Sequence, residues 1–337
     1  MPGPLRYVIG GYTDGPGQGL GVITVEDGRL SRATLVAEAN NPSYVITSPD
    51  GRIAYAVLER DAGAVAAWTV GDPDTVWVPL GEQQPTGGSA PCHLTLSVDG
   101  RFLISSNYES GSIAVHPVLD DGSLGARTQL VQHEGPTGRH SERQDGPHAH
   151  QVVVGPDGHY FACDLGLDIV FTYVLDASGQ LEEVSRSAMP PGTGPRHLAF
   201  STDGAIAWVV GELSSRVVMC SVAGPVLEPV SGVSTRAPHL QLENTPAAIL
   251  VTPDGARVLV SNRGDDTVAV LDVESGSLRP ETVLDVFGHW PRHIAWAPEG
   301  QLLVTNERSN VVVLLGGSTD RPGVAPWPSP TCLAALA

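Results

Sequence analysis

Six copies of one phrase decide how this chain folds: SYVITSPDGRIAYAV at 43–57, HLTLSVDGRFLISS at 93–106, QVVVGPDGHYFAC at 151–163, HLAFSTDGAIAWVV at 197–210, AILVTPDGARVLVS at 248–261 and HIAWAPEGQLLVT at 293–305. Each reads as a short apolar strand, a turn of the Pro-Asp-Gly type and a second apolar strand. Asp-Gly between such runs is a strong hairpin signal, because glycine supplies the positive φ of the tight turn. The turn glycines Gly51, Gly100, Gly158, Gly204, Gly255 and Gly300 recur at spacings of 49, 58, 46, 51 and 45 residues, near the period of a four-stranded propeller blade. A third strand follows each hairpin: AVAAWTV, SIAVHPV, IVFTYVL, RVVMCSV, TVAVLDV and NVVVLL.

The two ends complete the count. RYVIGGYT at 6–13 reads as a second strand without a first, and PTCLAALA at 330–337 as a first strand without a second. Joined, they make a seventh blade and close a ring, which removes the free sheet edges of a linear array. Two tandem β-sandwiches would leave these complementary ends unexplained. The expectation is an all-β fold, one seven-bladed β-propeller domain over residues 1–337, with Pro330–Ala335 pairing beside Tyr7–Tyr12.

Composition narrows the function. The formal charge of −18 argues against nucleic acid or an anionic membrane as a partner. The basic residues are all Arg, and the absence of Lys excludes Schiff-base chemistry. The start MPGPLRYVIGG carries no basic segment followed by an apolar run, and no apolar stretch reaches about 18 residues. Cys92, Cys163, Cys220 and Cys332 form no CxxC pair and read as reduced, buried thiols. A cytoplasmic monomer or homodimer is expected.

The start of each first strand and the end of each second strand lie at the same end of the hairpin, so all seven pairs of loops meet on one face around the channel. The leading segments are NPSY, APCH, GPHAH, GPRH, NTPAA, WPRH and PSPTC. The trailing ones are GYTDG, LERDAG, NYESG, CDLGLD, GELSS, SNRGDD and TNERSN. They bring His148, His150, Arg196, Arg292, Asp164, Glu212, Asn262, Arg263, Glu307 and Arg308 to that face. Several arginines there, in an acidic protein, suggest an anion pocket, since guanidinium binds carboxylate or phosphate in a forked geometry. The plainer reading is that they pair with glutamates and tie blades together. His148 and His150, two apart, point the same way on a strand. With no third ligand evident, no metal or other cofactor is expected. His93, His197 and His293 read as packing residues. The GPGQGLG run, Gly15–Gly21, lies between two strands and precedes no helix, so it does not read as a phosphate loop. The polar stretch Gln132–Pro147 accounts for the 58-residue spacing and should hang over the channel face as a lid or rim.

On GPHAHQVVVGPDGHYFACDLGLD (146–168), GTGPRHLAFSTDGAIAWVVGELSS (192–215), PAAILVTPDGARVLVSNRGDDTVAV (246–270) and WPRHIAWAPEGQLLVTNE (290–307), the chain resembles the lactonase family of seven-bladed propellers. That family includes propeller-type 6-phosphogluconolactonases and carboxymuconate lactonising enzymes. The resemblance implies catalytic roles for His148, Arg196, Glu212 and Arg263. His150, Asp164, Asn262, Arg292 and Glu307 are expected to bind substrate. Three positions depart from the family pattern: Ala248 stands where a carboxylate is usual, Glu307 where Gln is frequent and Gly211 where Asn is frequent. The implied reaction is hydrolysis of a sugar lactone, with His148 or Glu212 activating water. The alternatives are a cycloisomerase or lyase of the carboxymuconate-lactonising type acting on a carboxylated substrate, and a non-catalytic binding scaffold. A face rich in ionisable groups and poor in aromatics favours an enzyme.

Overall fold

The Asp-Gly turns form as the sequence requires. In the computed structural model, which describes residues 4–236, 243–274, 277–317 and 321–336, Gly51, Gly100, Gly158, Gly204, Gly255 and Gly300 all have φ between 69° and 87°. In four of these turns a Ser or Thr hydroxyl (Ser48, Ser97, Ser201, Thr252) donates to the turn aspartate at 2.6–2.7 Å. The same oxygen accepts the N–H that opens the next strand.

Six antiparallel sheets follow one another along the chain. Blade 1 is built on Val45–Thr47, Ile53–Leu58 and Ala64–Thr69, blade 2 on Pro91–Leu96, Phe102–Asn107, Ser112–Pro117 and Gln129–Gln132. Blade 3 runs from Ala149–Val154 to Leu181–Ala188, blade 4 from Pro195–Phe200 to Val226–Ser234, blade 5 from Thr245–Val251 to Ser277–Asp285 and blade 6 from Pro291–Trp296 to Gly323–Pro326. Blade 7 closes the ring: Pro330–Leu336 pairs with Leu5–Gly11 from Arg6↔Leu336 to Gly11↔Pro330. The outermost strands of blades 1 and 7 are each split into two short pieces. Among the described residues no helix is long and apolar enough to cross a membrane.

The core lies between blades. Phe102, Ile104 and Val115 of blade 2 pack on Val152, Tyr160 and Phe171 of blade 3, and six comparable clusters fill the other interfaces. The four cysteines are buried and free.

Where each first strand starts, six of the seven blades break register against the second strand, for example between Pro91 and His93, Ala149 and Gln151, Pro195 and Leu198, and Pro291 and His293. The residues left unpaired include His150, Arg196, His197 and Arg292. A bulge re-aims a side chain away from the regular pleat. Here it turns these groups toward the channel.

Candidate active site

The second strands supply the other half of the channel wall. Neighbouring residues on a strand face opposite ways, and this sorts the trailing segments. One residue near the end of each second strand points back into the preceding loop: Asn262 donates to the Thr235 carbonyl and accepts from Asn244, and Asn306 donates to the Val286 carbonyl. The next residue faces the channel, which places Tyr12, Glu59, Tyr108, Leu165, Glu212, Arg263 and Glu307 at matching positions of the seven blades.

This corrects two of the expected substrate-binding residues. Asn262 is fully buried, and both its amide nitrogen and its oxygen are used within the scaffold. Asp164 is fully buried too: Oδ1 accepts the N–H groups of His148 and Leu167, and Oδ2 lies 2.7 Å from His133 Nδ1. Asp164 fixes the backbone that carries His148 and presents no oxygen to the channel.

Glu212 is the hub. Its carboxylate meets Arg143 at 2.6 Å, Arg196 at 3.0 Å and Arg263 at 2.7 Å. Burial alone would raise its pKa, but the charges of Arg263, Arg196 and Arg143 outweigh burial and hold it well below the usual carboxylate range. A carboxylate so stabilised is a weak base. Arg196 is lowered to about 9 by burial and by the Arg263 charge, and so stays cationic at neutral pH. Arg196 also donates to the Ala247 carbonyl at 2.9 Å and lies 3.2 Å from His197 Nε2, which can only accept there. His197 is thereby a neutral support for Arg196. Arg196 Nε and Arg263 Nη2 make close ion pairs with the same oxygen of Glu212, and Arg263 is also hydrogen-bonded to it.

The plainer reading of the arginines therefore describes the resting contacts, yet the charges do not balance. Three guanidinium groups share one carboxylate, in a chain of net charge −18. Beside them, Arg292 donates to Tyr12 Oη at 2.7 Å and to Glu307 at 3.3 Å, and Tyr12 donates to Glu59. Arg292 lies near enough to lower Arg196 and Arg263.

Arg143, which the sequence reading passed over, comes from the polar stretch before blade 3. It reaches Glu212 and the Tyr108 hydroxyl together. Tyr108 stacks on His148 at 4.6 Å. His148 Nδ1 lies 3.1 Å from the Tyr108 carbonyl, so it carries the proton there, and Nε2 lies 3.0 Å from Asp145 on the same loop. The expected rim is thus a clamp on both His148 and Glu212. Of the four residues singled out for catalysis, Arg196 and Arg263 meet at Glu212, and His148 joins them through Tyr108 and Arg143.

His150 is buried below this layer with His93, His197 and His293, ring against ring and against Tyr44. Burial keeps all four neutral. His150 and His148 share no ligand-like arrangement, and no group of three or more His, Cys, Asp or Glu among the described residues is placed to hold a metal ion. Ala248 is buried, its N–H bonded to the Ser261 hydroxyl. At Gly211 a side chain would meet the Thr193 carbonyl and the Ser214 hydroxyl.

A closed ring of seven antiparallel blades, with a buried cluster of arginines around one glutamate, makes this a seven-bladed β-propeller with a cation-rich candidate site. Residues 6–320 match the family described as lactonase, 7-bladed beta-propeller, and the chain belongs to that family. It is 35% identical to a Bacillus subtilis (strain 168) protein named 6-phosphogluconolactonase, over 97% of this chain and 98% of that one. A Formosa agariphila protein of the same name is 29% identical over 91% of this chain and 90% of its own. The solved structure of a Pseudomonas aeruginosa periplasmic gluconolactonase superposes with a TM-score of 0.90 at 31% identity, covering 99% of each chain.

Proposed function

We propose that this chain hydrolyses a sugar lactone of the 6-phosphoglucono-1,5-lactone type, without a metal ion, as a cytoplasmic enzyme of carbohydrate metabolism. The observation that carries the reading is the pair of buried guanidinium groups, Arg196 and Arg263, which share the single carboxylate of Glu212 with Arg143 and so leave positive charge in excess. Preorganised positive donors in a water-poor site stabilise a tetrahedral oxyanion without reorganising.

His148 is the water activator in this reading, because Glu212 is too weakly basic. The Nδ1 proton is held by the Tyr108 carbonyl, and Nε2, facing Asp145 Oδ1, donates a proton there. When Asp145, two-thirds exposed on its loop, moves away and that proton passes to solvent, Nε2 becomes the acceptor for the attacking water. Water adds to the lactone carbonyl as His148 Nε2 takes its proton, and Arg196 and Arg263 hold the oxyanion. The ring C–O bond then breaks, and the imidazolium returns the proton to the leaving alkoxide. The product is the open-chain sugar acid.

The test is ring opening of 6-phosphoglucono-1,5-lactone, followed by base uptake in a pH-stat against the spontaneous rate, with and without EDTA. Enhancement of several orders of magnitude, unchanged by EDTA, is expected. A rate equal to the spontaneous one would remove the lactonase reading. Loss in EDTA restored by one added metal would overturn the metal-free step.

A further inference from the structure

We infer that Arg308, stacked on Trp290 at the channel mouth, reads the phosphate of a phosphorylated sugar lactone and so sets the preference for it over the unphosphorylated sugar. This rests on the lactonase reading above.

The backbone at Trp290 is the first observation. The residue before the proline that leads into a first strand has positive φ in five blades: Asn41 at 50°, Ala90 at 52°, Gly194 at 59°, Trp290 at 66° and Ser329 at 39°. Gly and Asn accept that region readily, whereas a bulky aromatic residue is an outlier there. Such strain gathers at ligand sites. The conformation is held by Asp266, which accepts from Trp290 N at 2.8 Å and pairs with His289 Nδ1 at 2.7 Å. Glu307 N donates to the Trp290 carbonyl.

What the strained backbone achieves is the placing of the indole. Arg308 Cζ lies 3.3 Å from its ring centroid, and Arg263 Cζ lies 5.7 Å from the same point. The ring therefore links a buried arginine of the oxyanion site to an exposed one at the rim, and a hexono-1,5-lactone carries its carbonyl at C1 and its 6-phosphate on the flexible arm at C5, on the two sides of the ring oxygen, so that each group can meet its own arginine. An arginine lying flat on an aromatic ring keeps its N–H edge free for a phosphate. Among the described residues Arg308 makes no ion pair. The Asp266 carboxylate, in the same loop cluster, is already engaged by Trp290 and His289. A phosphate held at the rim by Arg308 keeps part of its hydration, while the carbonyl goes to the buried Arg196 and Arg263.

The experiment compares kcat/KM for 6-phosphoglucono-1,5-lactone and glucono-1,5-lactone, each above its spontaneous rate. In Arg308→Ala the ratio of the two should fall roughly 10- to 100-fold, the range expected for lost hydrogen bonds to a charged group, with the change mainly in KM. Arg308→Lys should recover only part. Trp290 is a positioning residue: Trp290→Phe should keep the ratio, and Trp290→Ala should lower it tenfold or more without lowering Tm. A ratio unchanged in Arg308→Ala, or an equal loss on both substrates, would strike out the phosphate role while the lactonase reading stood. Wild-type protein that opens neither lactone would withdraw both.

Discussion

Glu212→Gln separates charge balance from base catalysis. The substitution keeps the shape of the side chain and removes the one negative charge shared by Arg143, Arg196 and Arg263. Arg143 is 38% exposed in its side chain and can turn to solvent, but Arg196 and Arg263, at 3% and 7%, cannot. Leaving a buried charge without its partner costs about 3–5 kcal/mol. With an unfolding entropy of about 2.1 cal/mol/K per residue over 337 residues, that loss lowers Tm by about 4–7 °C. Inorganic phosphate or 6-phosphogluconate should then raise Tm more in the variant than in the wild type, since the anion replaces the missing carboxylate; at 100 times its Kd a ligand contributes about 2.7 kcal/mol. Differential scanning calorimetry with and without the anion reads both effects. A Tm at or above wild type without anion, or equal anion shifts in the two proteins, would refute the charge argument. Folded, anion-free Glu212→Gln should also turn over faster than His148→Gln. Equal loss in the two would return Glu212 to the role of base.

Two further outcomes follow from the same geometry. Arg196→Ala should lose about 2.7–4 kcal/mol of transition-state stabilisation, as removal of an oxyanion donor does elsewhere, and Arg196→Lys should recover only part of it; near-normal kcat/KM in the folded Ala variant would exclude Arg196 from the mechanism. Burial holds His93 at about 3 and His293 at about 4, and keeps His150 and His197 well below their ordinary value. The unfolded chain takes up protons below about pH 6.5 that the native channel refuses, so stability present above that pH is lost as pH falls toward 4. The loss is about 1.4 kcal/mol per histidine per pH unit, and a Tm flat between pH 6.5 and 5 would show that the histidines titrate normally.

The fold was legible because the blade interfaces are filled by the apolar strands of each hairpin together with the apolar third strand that follows it. The outermost strands were not. Gln129–Gln132, Val226–Ser234 and Ser277–Asp285 are mostly exposed, so neither apolar runs nor alternation marks them. Only the period of the repeat implied that they exist. Ring closure was legible for a different reason: a half-blade at each end has edges that nothing but the other half can satisfy.

The site was half legible, and the missing half has a physical cause. Topology identifies which loops meet, but it does not say which residue of each loop faces the channel. Strand alternation sends Asn262 and Asp164 backward into the scaffold and their successors, Arg263 and Leu165, forward, while bulges carry Arg196 and Arg292 inward against the regular pleat. Neither the sign of the alternation nor the place of a bulge is written in residue type. Arg143 and Asp145 were hidden for a further reason: they lie in a loop with no periodicity, between Gln132 and His148. Yet that loop touches both halves of the proposed site: Arg143 pairs with Glu212, and Asp145 accepts from His148 Nε2.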